Sequence, residues 1–128
     1  STKFLGVGFS GNDTGRNIVK SVANQYLSMI DSSVVEDDGT AVDTGPLFDV
    51  GIPVMKNVVS DTPDHKFYFT YHHSAGDSMT MMNADDLDSN VLGVAIMFYV
   101  LADMEYSIPK PTIKMEKLNE IIAMLEKN

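Results

Sequence analysis

The stretch Phe4-Leu5-Gly6-Val7-Gly8-Phe9-Ser10-Gly11-Asn12-Asp13-Thr14-Gly15 begins as a strand and ends as a helix start. Its first six residues set apolar side chains against glycines, as an extended segment does. Ser10 to Gly15 is a polar turn of the kind that can also cap a helix. Beyond it, residues 14–30 carry Ile18, Val19, Val22, Tyr26 and Leu27 at helical spacing, with Asn17, Lys20, Ser21 and Asn24 on the opposite side. A strand feeding a helix predicts an α/β layer rather than an all-helical bundle.

The remaining chain extends that pattern. Val34 and Val35 begin a short strand, and Glu36-Asp37-Asp38-Gly39 reads as a solvated acidic turn that could also bind a cation. Residues 43–53, rich in glycine and proline, form a loop with one short helical turn. Residues 54–59, with the β-branched Val54, Val58 and Val59 and the apolar Met55, predict a strand. Residues 60–65 make a polar turn, and residues 67–71 are aromatic and extended. A second helix starts at the cap Asn83, with Asp85 and Asp86 in its first turn, where the helix dipole favours anions. Leu87, Val91, Val94, Ala95, Phe98, Leu101 and Ala102 follow at helical spacing. Ile96, Met97 and Val100 make this helix apolar nearly all round, which predicts deep packing, and Pro109 and Pro111 end it. A third helix over residues 112–127 aligns Met115, Leu118, Ile122 and Leu125 in a narrow stripe suited to docking. Only three or four strands are available, too few to close a sheet obviously.

Composition removes several function classes. The 128 residues suffice for one domain with a core. Eighteen acidic against nine basic residues give a net charge of −9, which disfavours nucleic acid and anionic membrane as partners. No cysteine is present, so a disulfide framework, a thiolate zinc site and a cysteine nucleophile are excluded. The longest apolar run, residues 91–102, is too short for a membrane span. Asn12-Asp13-Thr14 is a glycosylation triplet, although Asn12 can equally serve as a helix cap. The cluster Met79, Met81 and Met82 suits core packing better than substrate contact.

Chemistry concentrates in His72-His73-Ser74-Ala75-Gly76-Asp77-Ser78-Met79. Neutral imidazole is a common metal ligand and uses a partner on its other nitrogen. Asp77 lies four residues on and could be that partner or pin the loop; an exposed histidine pair is the competing reading. A catalytic zinc needs at least three protein ligands, and neither His65 nor the scattered carboxylates show ligand spacing. Either the chain binds no catalytic metal or other segments supply the ligands.

The stretch from Phe67 to Met82 (Phe-Tyr-Phe-Thr-Tyr-His-His-Ser-Ala-Gly-Asp-Ser-Met-Thr-Met-Met) resembles the C-terminal motif of the co-catalytic zinc aminopeptidase family. The helix ending Phe98-Tyr99-Val100-Leu101-Ala102-Asp103-Met104-Glu105 resembles that family's last helix. Asp43-Thr44-Gly45-Pro46-Leu47-Phe48-Asp49-Val50-Gly51-Ile52-Pro53 resembles its Ser-Asp-His-x-Pro-Phe…Gly-Ile/Val-Pro loop, with Thr44 where the family often has histidine. Phe4 to Gly11 resembles the segment after its Glu-Ser-Asp motif.

The resemblance implies the C-terminal portion of a three-layer α/β zinc-exopeptidase fold, incomplete by itself. Residues 1–109 would be the catalytic-domain segment and residues 110–128 an amphipathic helical extension. His73 would be the terminal zinc ligand, His72 an oxyanion-stabilising group and Asp77 the support of the loop. Asp43, Gly45, Pro46 and Leu47 would line the substrate pocket. Two zinc ions are implied, to which this chain supplies one ligand. The family's His-x-Asp, Glu-Glu and Glu-Ser-Asp motifs are not found here. An upstream segment or a second chain would therefore bring the other ligands and the general base. Small peptides as substrate, a homodimer, and a secreted or lysosomal location follow from the same resemblance. The alternative is a non-catalytic peptidase-fold module that docks on a larger assembly through its last helix.

Overall fold

The computed structural model describes residues 2–60, 70–113 and 115–126. Their elements run β1 (Phe4–Ser10), α1 (Asp13–Tyr26), a 3-10 turn (Leu27–Ile30), β2 (Val34–Glu36), α2 (Gly45–Asp49) and β3 (Val54–Val59). A second 3-10 turn (Met79–Met81), α3 (Ala84–Asp103) and α4 (Met115–Leu125) follow. The three strands form one mixed sheet in the order β2-β1-β3, and with the helices this is a partial α/β fold. β1 is parallel to β2, Val7 facing Val35, and antiparallel to β3, with Phe4 opposite Val59 and Ser10 opposite Val54.

The central position of β1 explains its glycine–apolar alternation. Phe4, Val7 and Phe9 are buried, and Phe4 is fully covered. α1 packs on the sheet through Val19, Val22 and Ala23, with Ile18 and Tyr26 partly buried beside them. Asn12 caps this helix, its Oδ1 accepting from the Gly15 amide at 2.8 Å. The helix stops at Tyr26, and Leu27–Ile30 tightens to 3-10 before Asp31 turns the chain at φ 52°. There the buried Ser32 hydroxyl lies 3.0 Å from the Phe4 carbonyl and 2.9 Å from that of Ile30, which ties the turn to the sheet.

α3 departs from its expected packing. Asn83 caps it, accepting from the Asp86 amide at 3.1 Å. Only Gly93 and Met97 are buried, so the helix is not deeply packed. Its inward face runs through Asn90, Gly93, Met97, Leu101 and Met104 instead of the stripe led by Leu87, Val91 and Ala95. Gly93 sets this face. A Cβ there would come 2.1 Å from Cε1 of Phe4, so only glycine admits the helix so close to β1. Asn90 Nδ2 also donates to the Thr2 carbonyl at 2.9 Å. Val91, Phe98 and Tyr99 consequently face outward, 60%, 73% and 73% exposed. The helix ends at Asp103, with Met104 extended, before either proline.

α4 has no buried residue. Of its expected stripe, Leu118 is half-covered, whereas Met115, Ile122 and Leu125 are exposed. Thr70 and Tyr71 are helical rather than extended, and residues 61–69, including His65 and the aromatic run Phe67 to Phe69, lie outside the described residues. No helix among the described residues is long and apolar enough to cross a membrane.

Candidate functional site

The histidine pair sits in a tight, exposed turn that follows the helical residues Thr70 and Tyr71. The Ser74 amide donates to the Tyr71 carbonyl at 3.0 Å, and the Ser74 hydroxyl donates to the same oxygen at 2.6 Å. Closing the turn requires His73 at φ 57°, a left-handed conformation that histidine adopts more readily than most side chains. His72 and His73 meet edge to face, their ring centroids 3.9 Å apart. Ser74 Oγ also accepts from the Gly76 amide at 3.2 Å, and the Asp77 amide donates to the Ser74 carbonyl at 3.1 Å. Backbone and serine hydrogen bonds thus shape the loop. Among the described residues the Asp77 carboxylate makes no hydrogen bond or ion pair with His73.

Asp43, Gly45, Pro46 and Leu47 occupy the opening of α2. Asp43 lies in the preceding turn and is exposed, and Pro46 stands in the first helical turn, where its missing N–H costs nothing. The Gly45 amide donates to the Ala41 carbonyl at 2.8 Å. Thr44 Oγ1 accepts from the Ala41 amide at 2.7 Å and donates to the Gly39 carbonyl at 3.2 Å. Thr44, standing where histidine is common in the resembling loop, therefore acts as a structural tie.

Beside α2 lies a polar knot that the sequence reading missed. Asp38 Oδ1 accepts from the Thr40 hydroxyl at 2.6 Å, the Thr40 amide at 2.9 Å and the Ser10 hydroxyl at 3.3 Å. Its Oδ2 accepts from Lys56 Nζ at 2.9 Å. The Thr40 hydroxyl, then the Lys56 ammonium and the Thr40 amide, hold the Asp38 carboxyl well below the usual carboxylate range. Asp37 pairs with Arg16 at 2.7 Å. The acidic turn is thus ion-paired at these two carboxylates rather than merely solvated. Asp-Gly-Thr, a short polar side chain two residues before a hydroxyl, was the local signal for such a turn.

Among the described residues His73 and Asp77 make no hydrogen bond or ion pair with Asp43, Gly45, Pro46 or Leu47. α2 leads into β3 at the Ser10 end of β1, whereas α3, which follows the histidine turn, is tied to Thr2 at the other end. Among the described residues one cavity of about 360 Å³ is lined by residues of α2 and α4 and another of about 650 Å³ by residues of α1 and α3, and these two do not include His72, His73 or Asp43. No group of three or more histidine, aspartate or glutamate side chains among the described residues could hold a metal ion.

Comparison with known proteins supplies what the geometry leaves open. The chain is 32% identical to carboxypeptidase Q of Mus musculus over 105 residues, which is 82% of this chain and 21% of that protein. It is a homologue of carboxypeptidase Q. The Homo sapiens protein is 30% identical over the same shares of the two chains, and that of Xenopus laevis is 30% identical over 83% of this chain and 22% of its own. The chain spans about a fifth of the length of the carboxypeptidase Q relatives it matches. No family model and no solved structure matches it.

Proposed function

We propose that this chain is part of a metallo-exopeptidase that hydrolyses small peptides, with most of the catalytic groups supplied by polypeptide outside these residues. The observation that carries the reading is the homology to carboxypeptidase Q over four-fifths of the chain, in a sequence holding the His72-His73…Asp77 motif. In this reading residues 1–109 are the C-terminal segment of the catalytic domain and residues 110–128 an extension. His73 contributes one ligand to a two-zinc site, and His72 lies beside it to stabilise an oxyanion. Asp77 supports the loop through its backbone, and Asp43, Gly45, Pro46 and Leu47 line the pocket. The complete enzyme is a secreted or lysosomal homodimer.

The described residues do not by themselves fit a zinc ion. A tetrahedral site needs three protein donors around an open position, and His73 brings one, exposed and without a carboxylate partner among the described residues. What His73 offers is pre-set geometry, since the hydrogen-bonded turn fixes its backbone before any metal arrives. The exposed apolar face of α3 supports the need for more polypeptide, because Val91, Phe98 and Tyr99 together form the kind of patch that marks an interaction surface.

Metal analysis and dipeptide hydrolysis by the complete polypeptide test the proposal. Bound zinc and activity are expected, and His73→Ala should remove both. Zinc retained at full stoichiometry by His73→Ala, or no zinc in the unsubstituted protein, would sink it. A second reading, a non-catalytic module docking through α4, is favoured by the outward Met115, Ile122 and Leu125. Deleting residues 112–127 should then release its partners, and retention of every partner after the deletion would remove that reading.

A further inference from the structure

We propose that residues 108–113, together with Lys117, form a strap that fixes α2 in place and makes Ile113 a positioning residue for substrate, an inference that rests on assigning Gly45, Pro46 and Leu47 to the pocket. One end of the strap is anchored on α1. Ile108 lies against the core, and its Cγ2 would stand 2.8 Å from a Cβ placed on Gly15. The Lys110 carbonyl accepts from Asn12 Nδ2 at 3.2 Å, so the residue that caps α1 also holds the strap.

The other end lies on α2. Gly51 ends that helix at φ 82°, and a Cβ there would fall 2.5 Å from Cγ1 of Ile113 and 3.6 Å from the Pro111 carbonyl oxygen. The Ile113 side chain therefore rests directly on the backbone of the turn that closes α2. Lys117 Nζ adds an ion pair to Asp49 at 3.8 Å. α2 is only five residues long and has no buried residue. One helical turn does not hold itself, so its placement comes from its neighbours. Thr44 and Ala41 hold its start; Ile113 and Lys117 bear on its end. A cavity of about 360 Å³ lined by Phe48, Pro111 and Ile113 adjoins this contact, so truncating Ile113 would let the end of α2 shift. Any such shift is passed through one helical turn to Pro46 and Leu47.

The test uses the complete polypeptide, with Ile113→Ala, Ile113→Leu and Lys117→Gln. Hydrogen exchange reads the strap directly. The Gly51 and Ile52 amides, bonded to the Phe48 and Leu47 carbonyls at 2.9 and 3.1 Å, should exchange about tenfold faster in Ile113→Ala. Dipeptide hydrolysis reads the positioning role: KM should rise about fivefold while kcat stays within about twofold. Ile113→Leu should restore both, and Lys117→Gln should move both in the same direction by less. If Ile113→Ala does not fold, Lys117→Gln carries the same two readouts. Unchanged exchange overturns the strap. Faster exchange with unchanged KM, or with a fall in kcat alone, overturns the positioning role. Absence of dipeptide hydrolysis in the unsubstituted protein counts against the proposed function, and exchange then still decides the strap.

Discussion

The two ends of the chain solve the burial problem differently. From Phe4 to Val59 the chain builds one core on Phe4, Phe9, Val19 and Leu27, and the exposed side of α1 is polar, while Met29, Val34, Val42 and Leu47 stay exposed outside it. From Tyr71 onward exposed large apolar residues are more numerous, among them Met79, Val91, Phe98, Tyr99, Met115 and Leu125. The first half supplies most of the buried core, and Met97 of the second half completes it. The second half rests on that core with Gly93 and Met97 as its main buried anchors. Residues proposed to bind metal and substrate lie on or beside exposed turns of both halves, where the rest of an active site could reach them.

The sharpest way to break this contrast is to hollow the core. Phe4 is fully buried between the sheet and α3, and Phe4→Ala should cost about 3–5 kcal/mol. Denaturant unfolding measures it; a loss under about 1 kcal/mol would mean that the core is not centred on Phe4. Next comes the point where the halves touch. Gly93→Ala pushes a methyl into the Phe4 ring, 2.1 Å from Cε1 before relaxation, and should cost about 1–3 kcal/mol. A neutral result would show that α3 does not lean on β1 through this glycine.

These substitutions also show what could be read in advance. β3 was legible at residues 54–59 because β-branched residues are gathered there, and the Asn83 cap because local geometry dictates it. The face of α3 was not. A helix apolar nearly all round gives periodicity nothing to discriminate, and the deciding contact, Gly93 on Phe4, spans 89 positions. Asp38 was missed for the same reason: its partners Ser10 and Lys56 lie 28 and 18 residues away. The role proposed for His73 rests on likeness to a family alone, since one histidine and a nearby aspartate specify no site by themselves. The strap joins residues about 60 and 100 apart, beyond the reach of any local pattern.

Smaller effects refine the picture of the first half. Asn12→Ala removes the α1 cap and the hold on Lys110, and should cost about 1 kcal/mol in thermal or denaturant unfolding. The amide groups of Asn12 are both engaged, so a glycan on Nδ2 would compete with the strap. Mass spectrometry of protein from a secreting host should find Asn12 unmodified; full occupancy would show the strap to be displaced. For Asp38 the sign follows from its depressed folded pKa. Its contribution is present above the unfolded value, near pH 4, and fades as the pH falls through the folded one. Asp38→Asn should therefore flatten the acid limb of stability below about pH 4 and leave the limb near neutrality parallel to the parent. An unchanged acid limb would show that the knot does not tie the acidic turn.

The smallest effect expected in this chain alone is also the one that separates its halves most clearly. Phe98 is 73% exposed, so Phe98→Ser should alter unfolding of residues 1–128 by less than about 0.5 kcal/mol. In the complete polypeptide the same substitution should cost about 3 kcal/mol, because a covering segment turns the ring into a buried one. The difference between the two measurements is the quantity of interest, and it cancels any local effect on helix propensity. A small cost in both settings would mean that the outer face of α3 remains open in the assembled protein, and the second half would then be a docking surface for another partner rather than an unfinished core.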